Sequence, residues 1–288
     1  MMARNKQTVT EELRRWIVAQ AESGCRPEDV IAAMRASGWA EDVAAAALEQ
    51  TLEQHLAQRG AAAARPAIVK PAAPGPAADA ATLLRLSDGC EVRILARLQL
   101  PRVVVFGGLL DEAECRRLIE LARPRLSRSE TVDNSTGGSE VNAARTSDGM
   151  FFTRGEHALI ATLEQRIAEL LRWPVDHGEG LQILRYRPGA EYRPHYDYFD
   201  PKHPGTARVL ERGGQRVGTL VLYLDTPESG GATTFPDAGL EVAAQRGNAV
   251  FFGYDRPDPS SRTLHGGAPV VAGEKWVATK WLRERVFT

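Results

Sequence analysis

The chain has 288 residues, 43% of them hydrophobic and 25% charged, a balance that suits a globular protein with one large domain and one small one. A formal net charge of −1 gives no bulk attraction to nucleic acid or to an anionic membrane, so neither is expected as a partner. The opening MMARNKQTVTEELRRW lacks the apolar core of a signal peptide, and no stretch approaches the ~20 apolar residues of a membrane span. Cys25, Cys90 and Cys115 are scattered and odd in number, so they form neither a zinc spacing nor a disulfide framework. A reduced, cytoplasmic protein is expected.

Residues 1–58 carry helical patterning. Thr8 and Glu11 have capping-box spacing, with Leu13, Trp16 and Ile17 following at helical intervals. Pro27 is placed to open a second helix with Val30, Ile31 and Met34 on its apolar side. Gly38 can stop it, and Val43, Ala47, Leu48, Leu52 and Leu56 suit a third. The pattern resembles a ubiquitin-associated-type bundle and is read as a small all-α docking or packing module. Residues 59–82 are mostly Ala, Pro and Gly, too poor in apolar bulk for a core, and are expected to form a semi-extended linker.

From residue 83 to 288 the texture becomes strand-like: EVRILARL, RVVVFGG, GLQILRYR, VGTLVLYL, NAVFFGY and KWVATKWL recur between Gly, Pro and Asp punctuation. Two helices interrupt early. One begins near Asp111 and carries Cys115, Leu118, Ile119 and Ala122; the other runs from about Gly155 to Leu171 with Ile160, Leu163, Ile167 and Leu171 as its stripe. Helices followed by many short strands imply an α+β domain, a jelly roll (double-stranded β-helix) backed by helices.

Within YRPHYDYF, His195 and Asp197 are spaced to share one face of a strand. A facial triad needs two imidazoles and a carboxylate on one side of a metal, and His265, in RTLHGG, is the candidate third ligand. Its two following glycines would admit close backbone approach. An HxD pair alone does not specify a metal. His55, His157, His177 and His203 have no matched partners in the sequence and are read as surface or capping residues. In HGGAPVVAGEKWVATKWLRE, Lys275, Val277, Thr279 and Trp281 share one face by parity. A lysine there needs an anionic partner, and a dicarboxylate supplies one. Lys280 is expected to be a solvated edge-strand lysine.

From about residue 100 the ordered motifs PRVVVFGGLLDEAECRRLIELARPRL, RTSDGMFF, YRPGAEYRPHYDYF, GGQRVGTLVLYL, GGATTFP and LHGGAPVVAGEKWVATKWLRE together resemble the prolyl 4-hydroxylases, iron(II)- and 2-oxoglutarate-dependent dioxygenases. The resemblance implies that His195, Asp197 and His265 bind iron(II), and that Lys275 pairs with the far carboxylate of 2-oxoglutarate. It also places Tyr186 and Thr233 at hydrogen bonds to that carboxylate, and Tyr192 and Arg216 near a proline-containing peptide. Trp281 is expected to line the pocket floor. The polar segment 133–149 is expected to form a loop closing over substrate, with Arg145 as a peptide clamp or a plain surface arginine. Oxygen is implied as co-substrate and ascorbate as reductant. Two departures stand out: Arg283 occupies a position where several relatives of this kind carry histidine, and Thr234 beside Thr233 leaves open which hydroxyl meets the co-substrate. Hydroxylation of another side chain or of a free amino acid, or a noncatalytic metal-binding scaffold, are the competing readings.

Overall fold

In a computed structural model of the chain, residues 9–23, 25–63, 73–76, 81–129, 131–132, 135–140 and 144–288 are described. Two units are distinguished, Met1–Ala72 and Ala73–Thr288. The first contains α1 (Glu11–Glu22), α2 (Pro27–Ala36) and α3 (Glu41–Ala63). The expected cap Thr8 lies outside the described residues; Thr10 is the N-cap, its hydroxyl accepting from the Leu13 N–H at 3.3 Å. Pro27 opens α2, where its missing N–H is no loss. Ile17, Val30, Met34, Ala44, Ala47 and Leu48 make the core of this unit, while Trp16 stays partly exposed.

α3 continues past residue 58 to Ala63. The alanines after Gly60 are strong helix formers, and the first proline comes only at Pro66. Of the expected linker, residues 64–72 and 77–80 lie outside the described residues. Pro74, Gly75 and Pro76 are buried in the second unit, where the Gly75 N–H donates to the Leu171 carbonyl at 2.8 Å. Gly75 adopts a φ of +155°, and a Cβ there would press on the Arg102 guanidinium, the movable end of its side chain. This short stretch lies down on its domain instead of spanning open solvent.

The second unit contains, in chain order, β1 (Leu83–Arg85), β2 (Glu91–Leu98), β3 (Arg102–Gly107), α4 (Glu112–Ala122), β4 (Ser127–Arg128), β5 (Thr131–Val132), β6 (Ser139–Glu140), β7 (Asp148–Phe152) and α5 (Ala158–Leu171). It continues with β8 (Leu181–Tyr186), β9 (Tyr192–His195), α6 (Thr206–Glu211), β10 (Arg216–Asp225), β11 (Ser229–Gly230), β12 (Thr233–Phe235) and β13 (Leu240–Val242). It ends with β14 (Ala249–Gly253), β15 (His265–Gly267), β16 (Val270–Ala272) and β17 (Lys275–Arg283). A nine-stranded antiparallel sheet runs β1-β2-β3-β14-β10-β17-β8-β7-β4, and a four-stranded sheet runs β13-β12-β15-β9. Leu184, Tyr186, Tyr223, Phe252 and Val277 of the large sheet pack with Phe235 and Val242 of the small one, so the two sheets face each other across a core. The domain is an α+β jelly roll backed by helices.

The other face of the large sheet is covered by α4 and α5. Asp111 and Glu114 form a reciprocal capping box at the start of α4. Ile160, Leu163, Ile167 and Leu171 of α5 are buried against Leu181, Ile183, Trp276 and Ala278, each apolar side chain contributing roughly 1.5–3 kcal/mol. Alternation along β17 sends Lys275, Val277, Thr279 and Trp281 to the inter-sheet cavity and Trp276, Ala278 and Leu282 to the helices. Lys280 therefore faces the helices, and the expectation of a solvated edge lysine is overturned. β17 lies between β10 and β8 in the large sheet, and Lys280 is 2% exposed and ion-paired with Glu164 of α5. Parity along the strand was visible in sequence, but the position of the strand in the sheet was not.

Candidate active site

His195 is the last residue of β9 and His265 the first of β15, and the antiparallel register sets them directly opposite each other. Asp197 lies two residues beyond the end of β9, so strand alternation alone does not align it. The Thr219 hydroxyl does, donating to Asp197 Oδ2 at 2.7 Å. Asp197 Oδ1 is 3.5 Å from His195 Nε2, and its Oδ2 is 3.5 Å from His265 Nε2. One ligand atom from each of the three residues lies within 4.8 Å of the others, the single such group among the described residues.

Backbone carbonyls orient the imidazoles. His195 Nδ1 is 2.9 Å from the Arg193 carbonyl and His265 Nδ1 is 3.0 Å from that of Thr263. An Nδ1–H donated to each carbonyl leaves both Nε2 lone pairs for a metal. A Cβ on Gly266 would come within 2.9 Å of the Tyr192 carbonyl, so this glycine permits the close crossing of β15 and β9; Gly267 is not crowded in that way. Burial alone would raise the Asp197 carboxyl, but the two imidazoles and Arg216 outweigh it and hold the group well below the usual carboxylate range. Burial and the neighbouring His195 ring push His265 down to about 4, leaving it neutral and ready to ligate at pH 7. Two imidazoles and one carboxylate, with the remaining side open, form a donor set that fits a non-haem iron(II).

Beside this group is a cavity of about 50 Å³ lined by both sheets, with Tyr186, Thr233 and Lys275 among its walls. Lys275 is 3% exposed and makes no hydrogen bond or ion pair with any described residue. Its Nζ is 5.4 Å from the Tyr186 ring centroid, and the two residues are register partners. Burial pushes the Lys275 amine down to about 8. A buried cation without a counter-charge, next to an open ligand set, fits an anionic chelator that carries a second carboxylate. The Thr233 hydroxyl accepts from Tyr223 at 2.8 Å, which leaves its own proton for the cavity. Thr234 instead turns to the Gly266 carbonyl at 3.5 Å.

A larger cleft of about 1410 Å³ opens above the group, and Tyr192, Arg216, Arg145 and Trp281 all line it. The Tyr192 ring stacks on His195 at 3.6 Å, and burial pushes its phenol up to about 12. Arg216 forms a two-toothed ion pair with Glu179 at 2.7 and 2.9 Å and lies 4.1 Å over the Trp281 ring. Burial disfavours its charge, but Glu179 outweighs that and raises its pKa. Trp281 Nε1 is buried without an acceptor among the described residues, a donor left for a ligand. Arg145 is buried rather than a surface arginine, donating to Gln182 Oε1 at 2.8 Å. Arg283 is tied inward as well, to the Gly214 and Val209 carbonyls at 2.8 and 3.1 Å. Of segment 133–149, residues 133, 134 and 141–143 lie outside the described residues. Its Gly137 sits so close to α6 that a Cβ would be 2.7 Å from the Gly205 carbonyl.

Thr219, Glu179 and Gln182 escaped the reading of the sequence. Two of them left a signal: a hydroxyl inside the apolar run VGTLVLYL, and a carboxylate flanked by glycines in HGEGLQIL.

Residues 181–283 match the sequence model of the 2OG-Fe(II) oxygenase superfamily. The chain is 41% identical over 203 residues to probable prolyl 4-hydroxylase 3 of Arabidopsis thaliana, covering 63% of this chain and 69% of that one. It is 39% identical over 208 residues to prolyl 4-hydroxylase 5 of the same plant, covering 65% and 70%. Among solved structures, the viral collagen prolyl hydroxylase of Paramecium Bursaria Chlorella virus-1 in its 2OG complex is 30% identical, with 63% of this chain and 95% of that one covered at a TM-score of 0.48.

Proposed function

Because the chain belongs to the prolyl 4-hydroxylases, which are iron(II)- and 2-oxoglutarate-dependent dioxygenases, we propose that it hydroxylates proline within a peptide or protein at the site around His195, Asp197 and His265. One observation carries this reading: a two-imidazole, one-carboxylate set shares a buried pocket with a lysine that has no hydrogen-bond or ion-pair partner among the described residues. Iron(II) held by the three ligands would supply oxidative decarboxylation of 2-oxoglutarate by oxygen, coupled to insertion of one oxygen atom into a substrate C–H bond.

The protein's own part is placement and exclusion of water. Asp197 stays ionised and offsets part of the metal charge, and Thr219 keeps its carboxylate turned toward the two imidazoles. Lys275 receives the far carboxylate of the co-substrate, with hydroxyls donated by Tyr186 and Thr233. Tyr192 and Phe252 wall the ligands with rings, at 3.6 Å from His195 and 4.4 Å from His265. Tyr192, Trp281, Arg216 and Arg145 contact the peptide. Ascorbate as the reductant and a reducing, cytoplasmic setting complete the proposal; the three cysteines are unbridged.

A pH dependence follows from Lys275. Its amine, pushed down to about 8, loses its charge as pH rises through that value, and the co-substrate's far carboxylate then loses its partner. kcat/KM for 2-oxoglutarate reports the free enzyme and should fall up to about tenfold per pH unit above 8. kcat should hold to higher pH, because the bound carboxylate raises the amine's pKa again. A kcat/KM that stays flat to about pH 9.5 would show that this charge does not select the co-substrate.

The direct test is succinate release from anaerobically iron-loaded protein given 2-oxoglutarate, oxygen and a panel of proline peptides. Peptide-stimulated turnover with one oxygen atom gained on proline is expected. Turnover that no proline peptide stimulates would keep the oxygenase and move the substrate to another side chain or a free amino acid.

A further inference from the structure

The cleft above the site is far more basic than the chain that forms it. We infer that it selects peptides with carboxylates beside the target proline, an inference that rests on the prolyl hydroxylase reading above. Among the described residues, nine arginines line the cleft with only two acidic side chains, Glu179 and Asp197. The whole chain has a formal net charge of −1.

Neither of those acids can neutralise the cleft. Glu179 is held by Arg216 and Arg283, and Asp197 lies between the two imidazoles. Two cleft arginines are balanced from outside, Arg125 by Glu156 and Arg193 by Glu191 at 3.6 Å. Others meet only backbone oxygens. Arg154 donates to the carbonyls of Asp176, Gly178 and Phe287, and Arg128 to that of Arg145 at 3.0 Å. A carbonyl satisfies an N–H donor without supplying a counter-charge; the charge nearest in effect to Arg154 is the Asp176 carboxylate, held low chiefly by His177 and in smaller part by Arg154. Arg208 is exposed and has no hydrogen bond or ion pair with any described residue.

These charges come from three separate elements that line the cleft: β4 at the edge of the large sheet, the turn before α5, and α6. Of the rings in the cleft, Tyr192 is covered by His195 and Arg145 and Trp281 by Arg216, and Phe151, 48% exposed, is the one large exposed ring there among the described residues. Single-stranded nucleic acid needs successive open ring faces for base stacking, so an acidic peptide is the better match.

The experiment measures binding first and chemistry second. Fluorescent peptides with a central proline flanked by Asp, Gln or Lys are titrated with the full chain at low and high salt. The Asp-flanked peptide should bind about tenfold more tightly than the Gln-flanked one, with Lys weakest, and high salt should collapse the difference. Arg128→Glu combined with Arg208→Glu should invert the order of Asp and Lys, whereas Arg128→Lys with Arg208→Lys should keep it. Equal affinity for all three peptides at low salt overturns the inference, as does an order that survives the double charge reversal. A single-stranded oligonucleotide that displaces the Asp-flanked peptide more effectively than the unlabelled peptide also overturns it, in favour of nucleic acid. Mass analysis of the same peptides after turnover separates the two readings. Charge-ordered binding with no proline oxidised counts against the hydroxylase reading and leaves the charge selection standing.

Discussion

Asp197→Ala should lower peptide-stimulated succinate formation to less than about a thousandth of the wild-type rate, with the protein still folded. The expectation starts from ligand count: removing the carboxylate leaves two neutral imidazoles, a weaker and uncharged set for a divalent cation. Losing a residue that only orients a ligand already costs about 10–100-fold in metal affinity or activity, and losing the ligand itself costs more. Thr219→Val tests the lower figure, since its hydroxyl donates to Asp197 Oδ2 and touches the Tyr254 hydroxyl at 3.1 Å. Its iron affinity should drop by about 10–100-fold while the ligands themselves stay in place. Anaerobic titration with iron(II) reads both variants. An Asp197→Ala protein that binds iron as tightly as wild type would mean that the metal sits elsewhere.

Lys280→Met should cost about 3–5 kcal/mol of stability, because Glu164 then loses its buried ion-pair partner and keeps only the Gly155 N–H, at 2.9 Å, as hydrogen-bond donor. For a domain of this size the loss should lower the melting temperature by about 10 °C. Burial works against the Lys280 charge and Glu164 opposes that, so the two groups depend on each other. Lys280→Met combined with Glu164→Leu should recover most of the loss, because well-packed apolar residues often replace a buried ion pair at little cost. Thermal unfolding of the two single variants and the double variant measures the coupling. A single variant that melts with wild type would mean the pair is wet and contributes little.

The contrast between Lys275 and Lys280 shows what kind of fact each level holds. Both lie on β17, five residues apart, and parity alone sends them to opposite faces. Parity did not show that both faces of β17 are covered, one by the small sheet and the other by α5. That depends on strand order, which is decided by which strands pair over long separations. Glu164 is 116 residues from Lys280, so no local pattern could have named it. The network of Arg216, Glu179 and Arg283 has the same origin, and so does the burial of Arg145 beside Gln182.

The sequence by itself determined six strands of the large sheet, the two helices behind them and the residue types needed at the site, but not the short strands β12, β13 and β15 of the small sheet. Those features follow from short-range alternation, capping and turn chemistry, and from spacing along one strand. His195, Asp197, His265 and Lys275 stand out by residue type and spacing and Tyr186 and Thr233 by the family resemblance, and the structure brings all six to one buried pocket. Only the tertiary structure decided that Thr219 steers Asp197, that Thr233 rather than Thr234 faces the cavity, that Pro74 to Pro76 are seated on the domain, and that nine arginines line one cleft. Each of these is a meeting between segments far apart in the chain, fixed by strand register and layer packing, and a local pattern carries no record of such meetings.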